Sequence, residues 1–196
     1  MSIALPPRST ALLFDLDGTL ADTLPIHLAA WREAGEQFGV EITDEMIMPH
    51  TGMPTVRITA ELNHAHGWSL VPAQVKAAKD AAYARLKPQM GVRPIVPVYA
   101  LAQRYRGQLP LAVGTGSSRG SAYDTLDSLG LRDWFQAIVT ADDVTRHKPA
   151  PDTYLRCAEL LGVEPAGCVV LEDGPYGLQA GRDAGMHVID VRPYLV

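Results

Sequence analysis

The chain has 196 residues, a formal net charge of −5, 47% hydrophobic residues and 20% charged residues. This balance suits a soluble globular protein large enough to bury a full core, and it disfavours a nucleic-acid-binding surface. No apolar run approaches membrane-spanning length, and residues 1–10 lack an apolar signal core, so neither a membrane span nor a secretory peptide is expected.

Cys157 and Cys168 form no Cys-x-x-Cys pair and have apolar neighbours. Buried thiols in a reducing cytoplasm are expected rather than a disulfide. Ala11-Leu12-Leu13-Phe14 is apolar without polar alternation, which predicts a strand buried on both faces of a parallel sheet. Asp15-Leu16-Asp17-Gly18-Thr19-Leu20 follows. Side chains two apart at a strand end point the same way, so Asp15 and Asp17 should face one point in space. Two carboxylates that close repel, and a cation between them removes the problem. Hard oxygen ligands suit Mg2+. A calcium loop counted from Asp15 would need glycine and glutamate where Leu20 and Ile26 stand, so it is excluded. An acidic turn without chemical consequence stays open at this point.

Helices are predicted from Leu24 to Gly39, Thr55 to His66 and Pro72 to Lys87, the last closed by Pro88, with a short one near Asp44 to Met48. Leu24, His27, Leu28, Trp31, Ala34 and Phe38 recur at helical spacing in the first. No strand signal appears between Leu24 and Pro88. The pattern then alternates. Helices at Ile95 to Arg106, Arg119 to Leu129, Pro151 to Leu161 and Pro175 to Ala184 interleave with strands at Leu109 to Thr115, Ala137 to Thr140, Cys168 to Leu171 and His187 to Val191. Such alternation implies an α/β fold, a doubly wound and mostly parallel sheet. Residues 1–22 and 91–196 would form this core, and 23–90 an inserted all-helical cap. Hinges are expected near Ala21 to Leu24 and Met90 to Pro94.

Functional loops of such sheets lie at the carboxyl ends of strands, and three more ends carry polar residues. Gly114-Thr115-Gly116-Ser117-Ser118 would expose backbone N–H groups at a helix start, a cradle for an anion, or else form a simple capped turn. His147-Lys148-Pro149-Ala150-Pro151-Asp152 holds a lysine before a restrained backbone. Glu172 and Asp173 follow a buried apolar run.

Taken in order, these four segments resemble the motifs of the haloacid dehalogenase superfamily of phosphotransferases over essentially the whole chain. The resemblance implies a Rossmann-like core, a nucleophile at Asp15 and a general acid/base at Asp17. It implies phosphoryl binding by Thr115 with the amides of Gly116 and Ser117, and charge neutralisation by Lys148. Mg2+ would be held by Asp15, Asp17 through its backbone carbonyl, Glu172 and Asp173. Dehalogenases of the superfamily do not use the second aspartate as an acid, so Asp17 and the acidic fourth motif argue for phosphate esters.

The helical block, with Asp22-Thr23-x-x-x-His27, resembles the small-cap subgroup of sugar-phosphate phosphatases and β-phosphoglucomutase. Within it the chain is most similar to small bacterial phosphatases of the fructose 1-phosphate kind. There His27 would contact Asp17 or a sugar hydroxyl, unless it is a core residue. Lys79 in Lys79-x-x-x-Tyr83 would touch the substrate, unless it is a surface lysine. The mutase carries an arginine where this chain has Thr55 and a lysine where it has Ser118, both serving to grip a bisphosphate intermediate. Their absence favours water as the final acceptor, although Arg57 or Arg119 could compensate. A sugar-phosphate phosphatase is therefore the expected activity, and a phosphosugar mutase the alternative. A non-enzymatic phospho-aspartate receiver is a distant third, since it needs no cap. The expected partner is a small phosphate ester, with no nucleic acid and no membrane. A cytoplasmic monomer is expected.

Overall fold

The computed structural model describes residues 3–195. Among them, β1 (Ala11–Phe14), β2 (Leu111–Gly114), β3 (Ala137–Val139), β4 (Cys168–Glu172) and β5 (His187–Asp190) form one sheet of order β3-β2-β1-β4-β5, every pairing parallel. The chain passes from β1 to β2 on one side and later returns to β4 on the other. The carboxyl ends of β1 and β4 thus flank a topological switch point, where open α/β sheets form their crevice.

The expected double burial of β1 is present. Leu12 and Phe14 enter one core with Leu111, Val113 and Leu171. Ala11 and Leu13 enter another with Ala112, Tyr154 and Val170. Helices α5 (Val96–Tyr105) and α6 (Arg119–Ser128) cover the first face. Helices α7 (Asp152–Leu161) and α8 (Pro175–Asp183) cover the second.

Between β1 and α5 lie α1 (Leu24–Gln37), α2 (Asp44–Ile47), α3 (Thr55–His66) and α4 (Pro72–Met90), with a 3-10 turn at Met48–His50. They bury apolar clusters of their own, one around Trp31, Ile47, Ile58 and Leu62, the other around Ile26, Ala30 and Tyr83. The two connections to the sheet run side by side, with Asp22 N donating to Arg93 O at 2.9 Å and Ile95 N to Leu20 O at 2.9 Å.

Four local expectations need correction. α4 continues through Pro88 to Met90, because a proline this late removes one helical bond while Lys87 is anchored to Asp124 on α6. β2 starts at Leu111 rather than Leu109, since Pro110 has no N–H for the ladder. β4 includes Glu172, which pairs with Asp190 of β5. In α1, Ile26 and Ala30 are buried, while Leu24 and His27 are only half-buried because they face a cavity. Cys157 and Cys168 are buried and free, as expected.

Candidate active site

Asp15 leaves β1 with its N–H bonded to Leu171 O of β4 at 3.0 Å, which fixes the first carboxylate over the switch point. The turn after it needs Gly18. Its φ is +90°, and a Cβ there would lie 2.5 Å from Asp173 Oδ2. That turn brings Thr19 back to donate its hydroxyl to Asp173 Oδ1 at 2.9 Å. Asp15, Glu172 and Asp173 can each offer a carboxylate oxygen with all three atoms within 4.8 Å of one another.

Lys148 meets this cluster from the segment before α7. Its ammonium donates to Asp15 Oδ1 at 2.7 Å, Glu172 Oε1 at 2.7 Å and the Tyr154 hydroxyl at 2.9 Å. Lys148 is fully buried. Burial alone would lower its pKa, but the facing carboxylates of Asp15 and Glu172 outweigh it and hold the ammonium protonated. Burial and the Glu172 charge push the Asp15 carboxyl up, against the pull of Lys148. Burial and Glu172 likewise push Asp173 up to about 7, opposed by the Thr19 hydrogen bond. A crowded, buried set of oxygens with raised affinity for positive charge is a donor set that fits Mg2+.

The Asp17 carboxylate belongs to a different network. It accepts from Thr23 at 2.7 Å and from Ser117 at 2.6 Å, and it lies 3.2 Å from His27 Nε2. Lys79 Nζ stands 3.0 Å from His27 Nδ1. The lysine can only donate, so Nδ1 accepts and Nε2–H donates to Asp17. Burial, followed by the charge of Lys79, lowers the His27 pKa and keeps the ring neutral. Tyr83 stacks on that ring with centroids 4.3 Å apart. Burial would raise the Asp17 pKa, but His27, Ser117 and Thr23 together hold it well below the usual carboxylate range.

Both aspartates open onto one cavity of about 140 Å3 between the sheet edge and the helices inserted after β1. Thr115, Gly116 and Ser117 line it, and the Ser117 amide donates to Thr115 Oγ1 at 3.0 Å. His27 and Lys79 line it too, so Lys79 is neither a surface lysine nor a core lysine. Thr55 and Ser118 also reach it, whereas Arg57 and Arg119 do not. Arg119 is engaged by Asp143.

Every residue anticipated for the site is therefore gathered there. Asp17 joins by position, with its carboxylate outside the carboxylate cluster. The sequence reading missed Tyr154, whose hydroxyl bridges Lys148 and Glu172, at 3.2 Å from the latter. In the sequence it stands early in a predicted helix, just after Pro151, where its only signal is that of an apolar helical position.

Residues 12–191 match the family of haloacid dehalogenase-like hydrolases. The chain is 41% identical over 186 residues to the fructose-1-phosphate phosphatase YqaB of Escherichia coli, covering 94% of this chain and 97% of that protein. It is 34% identical over 179 residues to validoxylamine A 7'-phosphate phosphatase of Streptomyces hygroscopicus, covering 90% and 83%. The crystal structure of a hydrolase from Pseudomonas syringae superposes with a TM-score of 0.84 at 27% identity, over 92% of this chain and 84% of that one. With the paired aspartates, buried lysine and acidic fourth strand end in place, this chain belongs to the haloacid dehalogenase-like hydrolases.

Proposed function

We propose that the protein is a Mg2+-dependent phosphatase of small sugar phosphates, acting through an aspartyl-phosphate on Asp15. One observation carries this most. Asp15 and Asp17 are two residues apart and open on the same cavity, yet Asp15 faces Lys148 and the acidic cluster while Asp17 is held by His27, Ser117 and Thr23. Two carboxylates with such divergent surroundings suit two roles.

In the first half, an Asp15 oxygen attacks phosphorus and the bond to the alcohol oxygen breaks. The leaving oxygen keeps the electron pair and takes a proton from Asp17. In the second half, Asp17 takes a proton from water, and the water oxygen attacks phosphorus. The acyl-phosphate bond breaks, which returns Asp15 and frees inorganic phosphate. Asp17 rests ionised, the form needed for the second half. An incoming phosphate is a like charge, which raises its pKa toward the form needed for the first. The Thr115 hydroxyl and the Gly116 amide offer donors to the phosphoryl oxygens, and Lys148, its protons held by Asp15, Glu172 and Tyr154, adds positive charge beside them. Asp15, Glu172, Asp173 and the Asp17 carbonyl would hold Mg2+, which when bound supplies further positive charge against those oxygens.

Residues 23–90 would act as a cap over the core of residues 1–22 and 91–196, hinged where the two connections run side by side. Thr55 and Ser118 line the cavity and Arg57 and Arg119 do not, which supports water over a retained bisphosphate as the phosphoryl acceptor. The names of the two phosphatase relatives support a phosphorylated carbohydrate-like substrate.

The test is phosphate release from a panel of sugar monophosphates, with Mg2+ and with chelator, including fructose 1-phosphate and 6-phosphogluconate. β-Glucose 1-phosphate is also analysed for isomerised product. Magnesium-dependent release is expected. Isomerisation with little release would replace the phosphatase by a mutase, and silence on every ester would overturn both.

A further inference from the structure

Helix α4 supplies a charged end to the cavity wall. Lys76, Lys79 and Asp80 all line it. Lys76 and Asp80, one turn apart, form an ion pair with Nζ 2.5 Å from Oδ2. Lys79 reaches inward to His27. Asp142, in the turn after β3, also lines the cavity, its carboxylate accepting from Arg119 N at 2.9 Å. The two lysines and the two aspartates cancel in formal charge. Trp31, Ile47 and Ile58 supply apolar lining to the same cavity.

A wall in which two lysines are balanced by two carboxylates has acceptors to spare for hydroxyl groups. A second anionic group would have to compete with Asp80 for Lys76 and would approach Asp80 and Asp142 as a like charge. We infer that the Lys76–Asp80 pair is a specificity determinant. It admits phosphate monoesters whose remainder is a neutral polyol and rejects those that carry a second phosphate there. The inference rests on the phosphatase reading of the site and adds to it which part of the molecule refuses a second charge.

Charge gives the inference a sign that general damage would not mimic. Asp80→Asn keeps the shape, frees Lys76 and leaves the end positive. Lys76→Gln leaves Asp80 unpaired and the end negative. The pair is half-exposed, so neither change should affect folding, which a thermal melt checks. The experiment measures kcat/KM for fructose 1-phosphate and for fructose 1,6-bisphosphate in the wild type and both variants.

The wild type is expected to prefer the monophosphate. Asp80→Asn should shift the ratio toward the bisphosphate by about tenfold, and Lys76→Gln should shift it the opposite way, each less at high salt. Ratios unchanged within about twofold, shifts of the same sign in both variants, or a wild type that prefers the bisphosphate would each overturn the inference while the phosphatase stands. No phosphate release by the wild type from these or any ester of the sugar monophosphate panel would instead overturn the phosphatase reading and the inference with it.

Discussion

Lys148 Nζ lies 2.7 Å from Asp15 Oδ1, across 133 positions of sequence, with both residues buried. The other two ammonium protons go to Glu172 and Tyr154, so the lysine's donors are fully used by the protein. It is the nearest cation to a nucleophile candidate and the partner that lets Asp15 and Glu172 sit together in a dry place.

Removing that cation should therefore cost stability as well as rate. Lys148→Met is expected to destabilise the metal-free protein by about 3–5 kcal/mol at pH 7.5, the range for breaking a buried pair by removing one partner. The Asp15 pKa is already raised and would rise further without Lys148. A raised carboxyl favours the protonated folded state, so the deficit should shrink as pH falls toward 5.5. Added Mg2+ should restore part of the loss. Urea unfolding at both pH values, with and without Mg2+, measures this. Wild-type stability throughout would show that the pair carries no such strain.

Asp15→Asn separates chemistry from fold. The amide keeps the size and can still accept from Lys148, so melting should stay within a few degrees. An amide is no nucleophile, and turnover should fall by at least about a thousandfold. Near-full activity in this variant would remove the nucleophile assignment.

The affinity for Mg2+ should depend on pH with a defined sign. Asp173 is pushed up to about 7 by burial and Glu172. Its folded pKa exceeds the unfolded value near 3.9, so metal-free stability should fall as pH rises from about 4 to about 7. Metal binding needs the ionised carboxylate. Affinity should thus climb through that region, by up to about tenfold per pH unit, and level off above it. Calorimetry at pH 6 and pH 8, each in two buffers of different ionisation enthalpy, should find proton release at pH 6 and little at pH 8. Equal affinity and no proton release at pH 6 would contradict the raised pKa.

How far the sequence could carry these assignments depends on distance along the chain. β1 was legible because four apolar residues without alternation leave a strand no exposed face, and Asp15 and Asp17 followed from the two-residue period. Asp173 was legible as a polar residue at a strand end, since a parallel sheet gathers those ends at one edge, whereas Lys148, beyond the 3-10 turn that follows β3, was legible through its proline frame and the motif resemblance. The hydroxyl bridge of Tyr154 was not, because a tyrosine on the inner face of α7 has the pattern of any core residue. Nor was the Lys87–Asp124 contact that carries α4 past Pro88, for it joins residues 37 apart whose packing only the assembled fold decides. The α1 positions that recur at helical spacing are partly cavity wall, because such spacing does not distinguish a helix neighbour from a cavity.

The inserted helices meet the sheet edge at Gly116 and Gly174. A Cβ on Gly116 would lie 2.7 Å from Gly52 O, a backbone atom that cannot swing aside like a side-chain tip. Gly174 meets Thr51 O in the same way, at 2.9 Å. The loop between α2 and α3 is thus seated against two bare backbones, and it carries Met53, Pro54 and Thr55 into the cavity wall. Gly116→Ala should displace this loop without touching Asp15, Asp17 or Lys148. The core strands do not depend on the contact, so melting should change by little. In the proposed closure of the cap this contact holds the loop, so KM should rise by about tenfold with a smaller fall in kcat, the signature of lost binding rather than lost chemistry. Steady-state kinetics on a hydrolysed sugar monophosphate decides the matter. An unchanged KM would mean that the loop need not rest on Gly116 for the site to bind its substrate.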